Sequence, residues 1–307
     1  MERRDVVVTG GGPAGLTAGI YLTQYGFNAI ILEEKIAGGY AAEIPLLENY
    51  PGYTQGISGK DLMDQMVQQC KEIGVDIHPF EKVIELDFQS EMNIVKTDKY
   101  DYSSRFVFIA SGRSPKILGV PGEDQFKGKG VSHCAVCDGF FFKNKEVVVV
   151  GEDRRAIEVA IFLSGLASNV KMICRQDKLC AEKILLKDLE MKKLEILSGV
   201  ELKEIKGDLK VKSVVLLDKS TGNTEEIPAD GIFFQQEGVP NSQIAEKSGI
   251  NCDKDGYILV DERGRTNIDG VYAMGDVTSS LTKLVVTAVA QAAAAAFDVM
   301  AQVRSQM

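Results

Sequence analysis

Hydrophobic positions along the chain follow two periods in alternation. DVVVTG at 5–10 is a continuous apolar run of the kind a strand buried on both faces requires. PAGLTAGIYLTQYG at 13–26 switches to helical spacing and ends on Gly26, and NAIILEE at 28–34 returns to a strand. GKDLMDQMVQQCKEIG at 59–74 is amphipathic with a terminal glycine, which predicts a helix. VVVVG at 147–151 restarts the first pattern: AIEVAIFLSGLAS reads as its helix and NVKMICR as the following strand. The unit strand–glycine turn–helix–strand thus occurs twice, near 5–34 and 146–175. This predicts an α/β fold of two Rossmann-like dinucleotide-binding domains, one inserted in the other. The alanine-rich stretch 288–296 reads as a packed helix.

Composition places the boundaries. SGRSPKILGVPGED at 111–124 and EGVPNSQ at 237–243 are rich in Gly, Ser and Pro and read as linkers. They give a discontinuous first domain of 1–112 plus 244–307 and an insert of 113–243. The net charge of −9 lies entirely on the first domain, because the insert holds 20 basic and 20 acidic residues. That balance argues against nucleic-acid binding. No apolar run reaches the ~18–20 residues a membrane span needs. The first strand begins near Asp5 and leaves no room for a signal peptide, so the expectation is a cytoplasmic protein with no membrane partner.

Two motifs carry chemistry. Gly10-x-Gly12-x-x-Gly15 follows a strand and opens a helix, so the backbone can approach a pyrophosphate held at the helix N-terminus. Glu33, with Glu34 beside it, stands where an acid would bind a ribose hydroxyl. Cys134-Ala-Val-Cys137 has the spacing to close a small, reducible disulfide, and Asp138 is placed to give and take the proton that thiolate chemistry demands. The alternative for this pair is a zinc half-site. It would need two further ligands at matching spacing; no second C-x-x-C exists, and the only histidine besides His133 is His78, so no metal site is expected.

With these pieces in place, the chain resembles the low-molecular-weight thioredoxin reductases over essentially its whole length. GGGPAGLTAGIYL, the Gly38-Gly39 pair, ENYPG at 48–52, IASG at 109–112, CAVCDG at 134–139 and VYAMGDV at 271–277 fall in that family's order. The resemblance implies a discontinuous FAD domain with an inserted pyridine-nucleotide domain that carries the C-x-x-C and rotates between two orientations. It implies FAD contacts at Gly10, Gly12, Pro13, Ala14, Gly15, Glu33, Glu34, Gly39, Tyr40, Asn49, Ala110, Gly112, Gly275, Asp276 and Val277. It implies that Cys137 contacts the flavin, that Cys134 is the more exposed thiol that attacks thioredoxin, and that Asp138 is the acid/base. A homodimer is the family's expectation. Two positions depart from the pattern: Tyr40 replaces the usual Gln, either stacking near the flavin or lying on the surface, and Lys283-Leu284 replace Arg-Gln.

The second glycine loop departs further. Where NADPH-dependent members have G-x-G-x-x-[AG], this chain has Gly151-Glu152-Asp153-Arg154-Arg155-Ala156. Two carboxylates then face an incoming pyrophosphate, and like charges ~4 Å apart cost roughly 4 kcal/mol at an effective dielectric near 20. Arg154 and Arg155 offset some of this only if they turn toward the site. Of the three arginines that clamp the 2′-phosphate, only Arg175 remains in CRQDKLC at 174–180. In QEGVPNS at 236–242, Glu237 replaces another glycine. The resemblance is therefore strongest to the ferredoxin-dependent flavin thioredoxin reductases, which lack the NADPH motifs in this way. Ferredoxins are usually acidic, which makes Lys127, Lys129, Lys143, Lys145, Arg113, Arg154 and Arg155 candidates for a docking surface. The alternatives are an atypical NAD(P)H-dependent thioredoxin reductase, a flavin dithiol oxidase using oxygen, and a non-catalytic flavoprotein.

Overall fold

The computed structural model describes residues 1–44, 46–89, 92–176, 179, 187, 189, 194–235 and 238–305. The chain forms two compact units: Met1–Ala42, Leu47–Ser114 and Val239–Met307 make the first, and Glu43–Leu46 with Pro115–Gly238 make the second.

The first unit is built on a mixed sheet. Its strands are β1 (Glu2–Thr9), β2 (Ala29–Glu33), β3 (Asp76–Pro79), β4 (Val83–Asp87), β5 (Asn93–Thr97) and β6 (Asp101–Ile109), in the order β3-β2-β1-β6-β5-β4, with Val271–Ala273 also pairing β6. Parallel pairing sets Val7 beside both Ile30 and Val107, and Val6, Val7 and Val8 are fully buried. Strands covered on both faces must be apolar at consecutive positions, which is why DVVVTG reads as a run. Helix α1 (Pro13–Gln24) starts with proline at its first turn, and Gly26, at φ +86°, turns the chain out of it. Helix α2 (Gly59–Glu72) is capped by Ser58, whose Oγ accepts the Asp61 N–H at 3.0 Å, and buries Leu62, Met63, Met66 and Cys70.

The C-terminal helix Val285–Ser305 packs against α1 and buries Ala288, Ala292, Ala295, Ala296 and Val299. This corrects the expectation drawn from apolar runs, because by length and composition alone this helix is long and apolar enough to cross a membrane. Its buried face holds Asp298, which accepts from Arg265 Nε and Tyr272 Oη at 2.7 Å and from Arg263 and Gln302 at 2.9 Å. Small residues on one stripe and a paired carboxylate are the pattern of a core helix.

The second unit has a parallel sheet ordered β11-β10-β9-β15-β8 and a three-stranded antiparallel sheet β12-β13-β14. The strands of the parallel sheet are β8 (Val131–Ser132), β9 (Glu146–Val150), β10 (Asn169–Cys174), β11 (Glu195–Ser198) and β15 (Gly231–Phe234), and those of the antiparallel sheet are β12 (Val200–Gly207), β13 (Val211–Asp218) and β14 (Thr224–Pro228). Alternate residues of β9 feed opposite cores, as the two-residue period of a strand requires. Val147 and Val149 join Ala156, Ile157, Ala160 and Leu163 of helix α4 (Arg154–Ser164), whereas Val148 and Val150 join Leu202, Val214 and Leu216 of the antiparallel sheet. Each such valine contributes about 1.5–3 kcal/mol.

The two crossings between units are laced together on the side of the first. Arg113–Ser114 pairs antiparallel with Val239–Pro240. Asn241 donates to the Gly112 carbonyl at 3.0 Å and to the Ser111 carbonyl at 2.8 Å, and the Ser114 hydroxyl donates to Asn241 Oδ1 at 2.7 Å. Composition set the boundaries at 112/113 and 243/244; these bonds hold 113–114 and 239–243 with the first unit.

Candidate functional site

The turn after β1 has a shape only glycine permits. Gly10 lies at φ +104°, and a side chain there would begin 2.4 Å from the Ala110 carbonyl oxygen. One on Gly15 would begin 1.8 Å from the Gly10 carbonyl oxygen. Gly12 is the N-cap of α1 and makes no side-chain cap bond, and no acid lies in the first turn, so no carboxylate of α1's own competes for its leading N–H groups. Glu33 accepts from Gly11 N at 2.7 Å and from Lys35 N at 2.8 Å, which fixes its carboxylate at the rim of the loop. Glu34 does not join it: it is exposed and pairs with Lys82 at 2.8 Å. Gly39, at φ +57°, lies against Gly12, so that a side chain on it would begin 3.0 Å from the Gly12 Cα, and the half-buried Tyr40 follows it in a 3₁₀ turn.

Of the remaining expected contacts, Ala110 lies against Gly10 and Gly275 against Ala14, whereas Asn49 stands exposed on its own segment. Gly275 faces Ala14, and Gln291 accepts the Gly275 N–H at 2.7 Å. Asp276 is paired with Arg113, Nε to Oδ2 at 3.2 Å. Arg113 is thus committed inside the first unit, which corrects its assignment to a docking surface. Lys283 Nζ lies 4.2 Å from the Tyr257 ring centroid, and burial pushes its pKa down. A glycine cradle, an uncapped helix N-terminus and a fixed carboxylate at the end of β2 suit a dinucleotide such as FAD, whose pyrophosphate the amides would take and whose ribose Glu33 would take.

In the second unit Cys134 and Cys137 form a disulfide with Cα atoms 5.3 Å apart. Cys134 is the N-cap of helix α3 (Ala135–Asp138), extended at φ −125°, ψ 98°, and its sulfur accepts the Cys137 N–H at 3.1 Å. The exposure order reverses the expectation: Cys137 is exposed and Cys134 half-buried, because the capping bond draws the Cys134 sulfur back over the helix start. Asp138 is half-buried directly after the pair. Phe140 and Phe141 are 67% and 71% exposed beside it, whereas Phe142 turns inward onto Phe233. His133 stacks on Phe234 with centroids 5.5 Å apart; its Nδ1 is buried without a partner among the described residues, and burial pushes its pKa down. Burial pushes the thiols of Cys70 and Cys174 up to about 12, so neither supplies a thiolate.

The second glycine loop is occupied by its own side chains. Asp153 is the N-cap of α4, and its Oδ1 accepts the Ala156 N–H at 2.9 Å. Glu152 accepts the Gln176 N–H at 2.9 Å, just past β10. Of the neighbouring arginines, Arg154 pairs with Glu158 at 2.7 Å, and Arg155 donates to Gln235 Oε1 at 2.9 Å. Arg175 is half exposed and 3.8 Å from Glu201. Asp177, Cys180 and Glu237 lie outside the described residues. Lys127, Lys129 and Lys143 remain exposed on this unit, while Lys145 lies over the Phe142 ring at 5.5 Å. Gln235, Ser132, Gln291 and Tyr257 escaped the sequence reading, since isolated polar residues carry no motif.

The model of the pyridine nucleotide-disulphide oxidoreductase family matches residues 4–292. The chain is 37% identical to the thioredoxin reductase of Bacillus subtilis over 297 residues, covering 96% of the chain and 93% of that protein. The crystal structure of T. acidophilum thioredoxin reductase superposes with a TM-score of 0.94 at 33% identity, covering 99% of both chains. A ferredoxin-flavin thioredoxin reductase from Clostridium acetobutylicum is similar at 29% identity and a TM-score of 0.54, again over 99% of both chains.

Proposed function

The chain belongs to the low-molecular-weight thioredoxin reductases within the pyridine nucleotide-disulphide oxidoreductase family, an FAD-carrying group of disulfide oxidoreductases, and we propose that it reduces thioredoxin through Cys134 and Cys137 with electrons from ferredoxin. The observation that carries the choice of donor is the contrast between its two helix N-termini. The N-terminus of α1 carries no carboxylate, and the N-terminus of α4 is capped by Asp153. A pyrophosphate has to displace that cap and meet Glu152 as well, which costs the capping bond and adds like-charge repulsion. The ferredoxin-flavin thioredoxin reductase among the similar structures supports ferredoxin as the replacement.

Bound FAD supplies the change from one-electron to two-electron chemistry, and Gly10, Gly12, Gly15 and Glu33 are the residues that would hold it. The protein's thiols do the rest. The Cys134 thiolate attacks one sulfur of the thioredoxin disulfide, forming a mixed disulfide and releasing a thioredoxin thiolate. The Cys137 thiolate then attacks Cys134 sulfur, restoring the Cys134–Cys137 disulfide and releasing reduced thioredoxin; Asp138 relays the protons. Two electrons and two protons enter thioredoxin for each disulfide reformed. The N–H of Cys137 at the Cys134 sulfur favours the thiolate there, and Phe140 and Phe141 offer an apolar surface beside it.

The family's description favours one second reading, a pyridine nucleotide as donor. Steady-state reduction of thioredoxin separates the two: turnover with reduced ferredoxin and none with NADPH or NADH supports the proposal, and the reverse overturns it.

A further inference from the structure

The loop that lost its nucleotide chemistry is joined to the redox pair by one buried side chain. Gln235 follows β15 and is 1% exposed. Its Oε1 accepts from Arg155 Nε, in the first turn of α4, at 2.9 Å. Its Nε2 donates to the carbonyl of His133, the residue before Cys134, at 3.1 Å. The other side of that same peptide is also held: the Cys134 N–H donates to Ser132 Oγ at 3.0 Å, and Ser132 is 6% exposed. The peptide between His133 and Cys134 is therefore gripped at its oxygen by Gln235 and at its nitrogen by Ser132.

That grip sets the extended backbone of Cys134, and the extended backbone places its sulfur on the Cys137 N–H. A hydrogen bond to a thiolate lowers its pKa, so whatever fixes this geometry also sets the fraction of nucleophile. The bonds are in series, and each polarises the next.

We propose that Gln235 is a positioning residue for the redox pair, carrying the start of α4 through Arg155 to the peptide before Cys134 and so holding Cys134 in its thiolate-stabilising geometry. This rests on the reading of Cys134 as the attacking thiol. It also gives the altered glycine loop a use: with no dinucleotide to bind, Arg155 anchors the redox segment.

The test is the pH profile of Cys134 alkylation by iodoacetamide in the dithionite-reduced holoenzyme, read on the Cys134 peptide by mass. Charged groups facing this segment are Asp138 beyond the pair, His133 with Glu123 and Lys127 near its ring, and Arg155 with Glu43 at 3.6 Å. All of them are kept in Q235L, so a shift in that variant reports the lost bonds. The midpoint in Q235L moves up by about one pH unit, leaving about tenfold less thiolate below it. Q235E keeps an acceptor for Arg155 but loses the donor to His133, and moves it at least as far; R155M, which breaks the outer bond together with the Glu43 pair and leaves the Gln235 donor on the His133 carbonyl, moves it less. A folded, flavin-loaded Q235L with the parent profile overturns the proposal, and if Q235L does not fold, a parent-like profile in Q235E does so. C134S distinguishes the underlying reading: if it still reduces thioredoxin, the assignment of Cys134 fails, whatever the Gln235 variants do.

Discussion

The carboxylate of Asp153 accepts the N–H of Ala156 at 2.9 Å and so caps helix α4 from within its own chain. The sequence shows Asp153 as a charge in the way of a phosphate; the structure shows it bonded to the start of α4. Removing it therefore has two effects of different kind. D153A loses about 1 kcal/mol of capping, lowering the unfolding midpoint of the holoenzyme by about 3 °C in a thermal melt. E152G/D153G removes both acids and restores backbone access, and its affinity for NADPH, measured by calorimetry, rises at least about tenfold over the parent, or about 1.4 kcal/mol. An unchanged affinity would show that other losses, such as the missing arginines around Arg175, suffice to exclude the nucleotide.

The glycines of the two loops are needed for different reasons. G15A would set a methyl 1.8 Å from the Gly10 carbonyl oxygen, under the first turn of α1, and is expected to yield protein largely without flavin, read from the visible absorbance after purification. Gly151 serves no phosphate in this account, yet a methyl there would lie 1.9 Å from the Gln235 carbonyl oxygen. G151A is expected to lower stability by more than about 2 kcal/mol, as a packing defect does, while the flavin stays bound.

How far the sequence could be read follows from this. Buried parallel strands, glycine turns and a C-x-x-C have fixed spacing, so the two Rossmann-like units and the redox pair are legible in the sequence. Residues whose role depends on a distant partner are not. Glu33 and Glu34 are adjacent and alike, but β2 ends at Glu33, whose carboxylate reaches the Gly11 N–H, and Glu34 beyond it turns outward to Lys82. Arg113 was grouped with surface cations, although Asp276 is 163 positions away in sequence. Gln235 carries no motif, and Asn241 was not singled out in the sequence, although it bonds Gly112, Ser111 and Ser114 at the crossing.

Asp298 links pH to stability. Burial alone would raise its pKa, but hydrogen bonds from Arg265, Tyr272, Arg263 and Gln302 overcome burial and hold it at about 2, against 3.8 ordinarily. A carboxyl depressed in the folded state contributes stability that is fully present above its unfolded pKa and lost as pH falls through the folded one. Chemical denaturation should therefore show the parent losing stability between about pH 4 and pH 2 relative to D298N, which is itself about 2–3 kcal/mol less stable at pH 7. Parallel pH curves for the two proteins would remove this network from the account.

The thiol order is open to trapping. C137S retains the attacking thiol and lacks the resolving one, so it accumulates a mixed disulfide with thioredoxin, visible as a mass adduct without reductant. C134S accumulates none. The opposite pattern would exchange the roles and agree instead with the greater exposure of Cys137.

We propose that this reductase does not take its electrons from a pyridine nucleotide. The most direct measurement is anaerobic mixing of the flavin-loaded protein with NADPH, NADH or reduced ferredoxin while the visible flavin band is followed. Reduced ferredoxin should bleach the band rapidly, and millimolar NADPH or NADH should leave it intact over the same time. Rapid bleaching by either nucleotide at a physiological level would contradict the account.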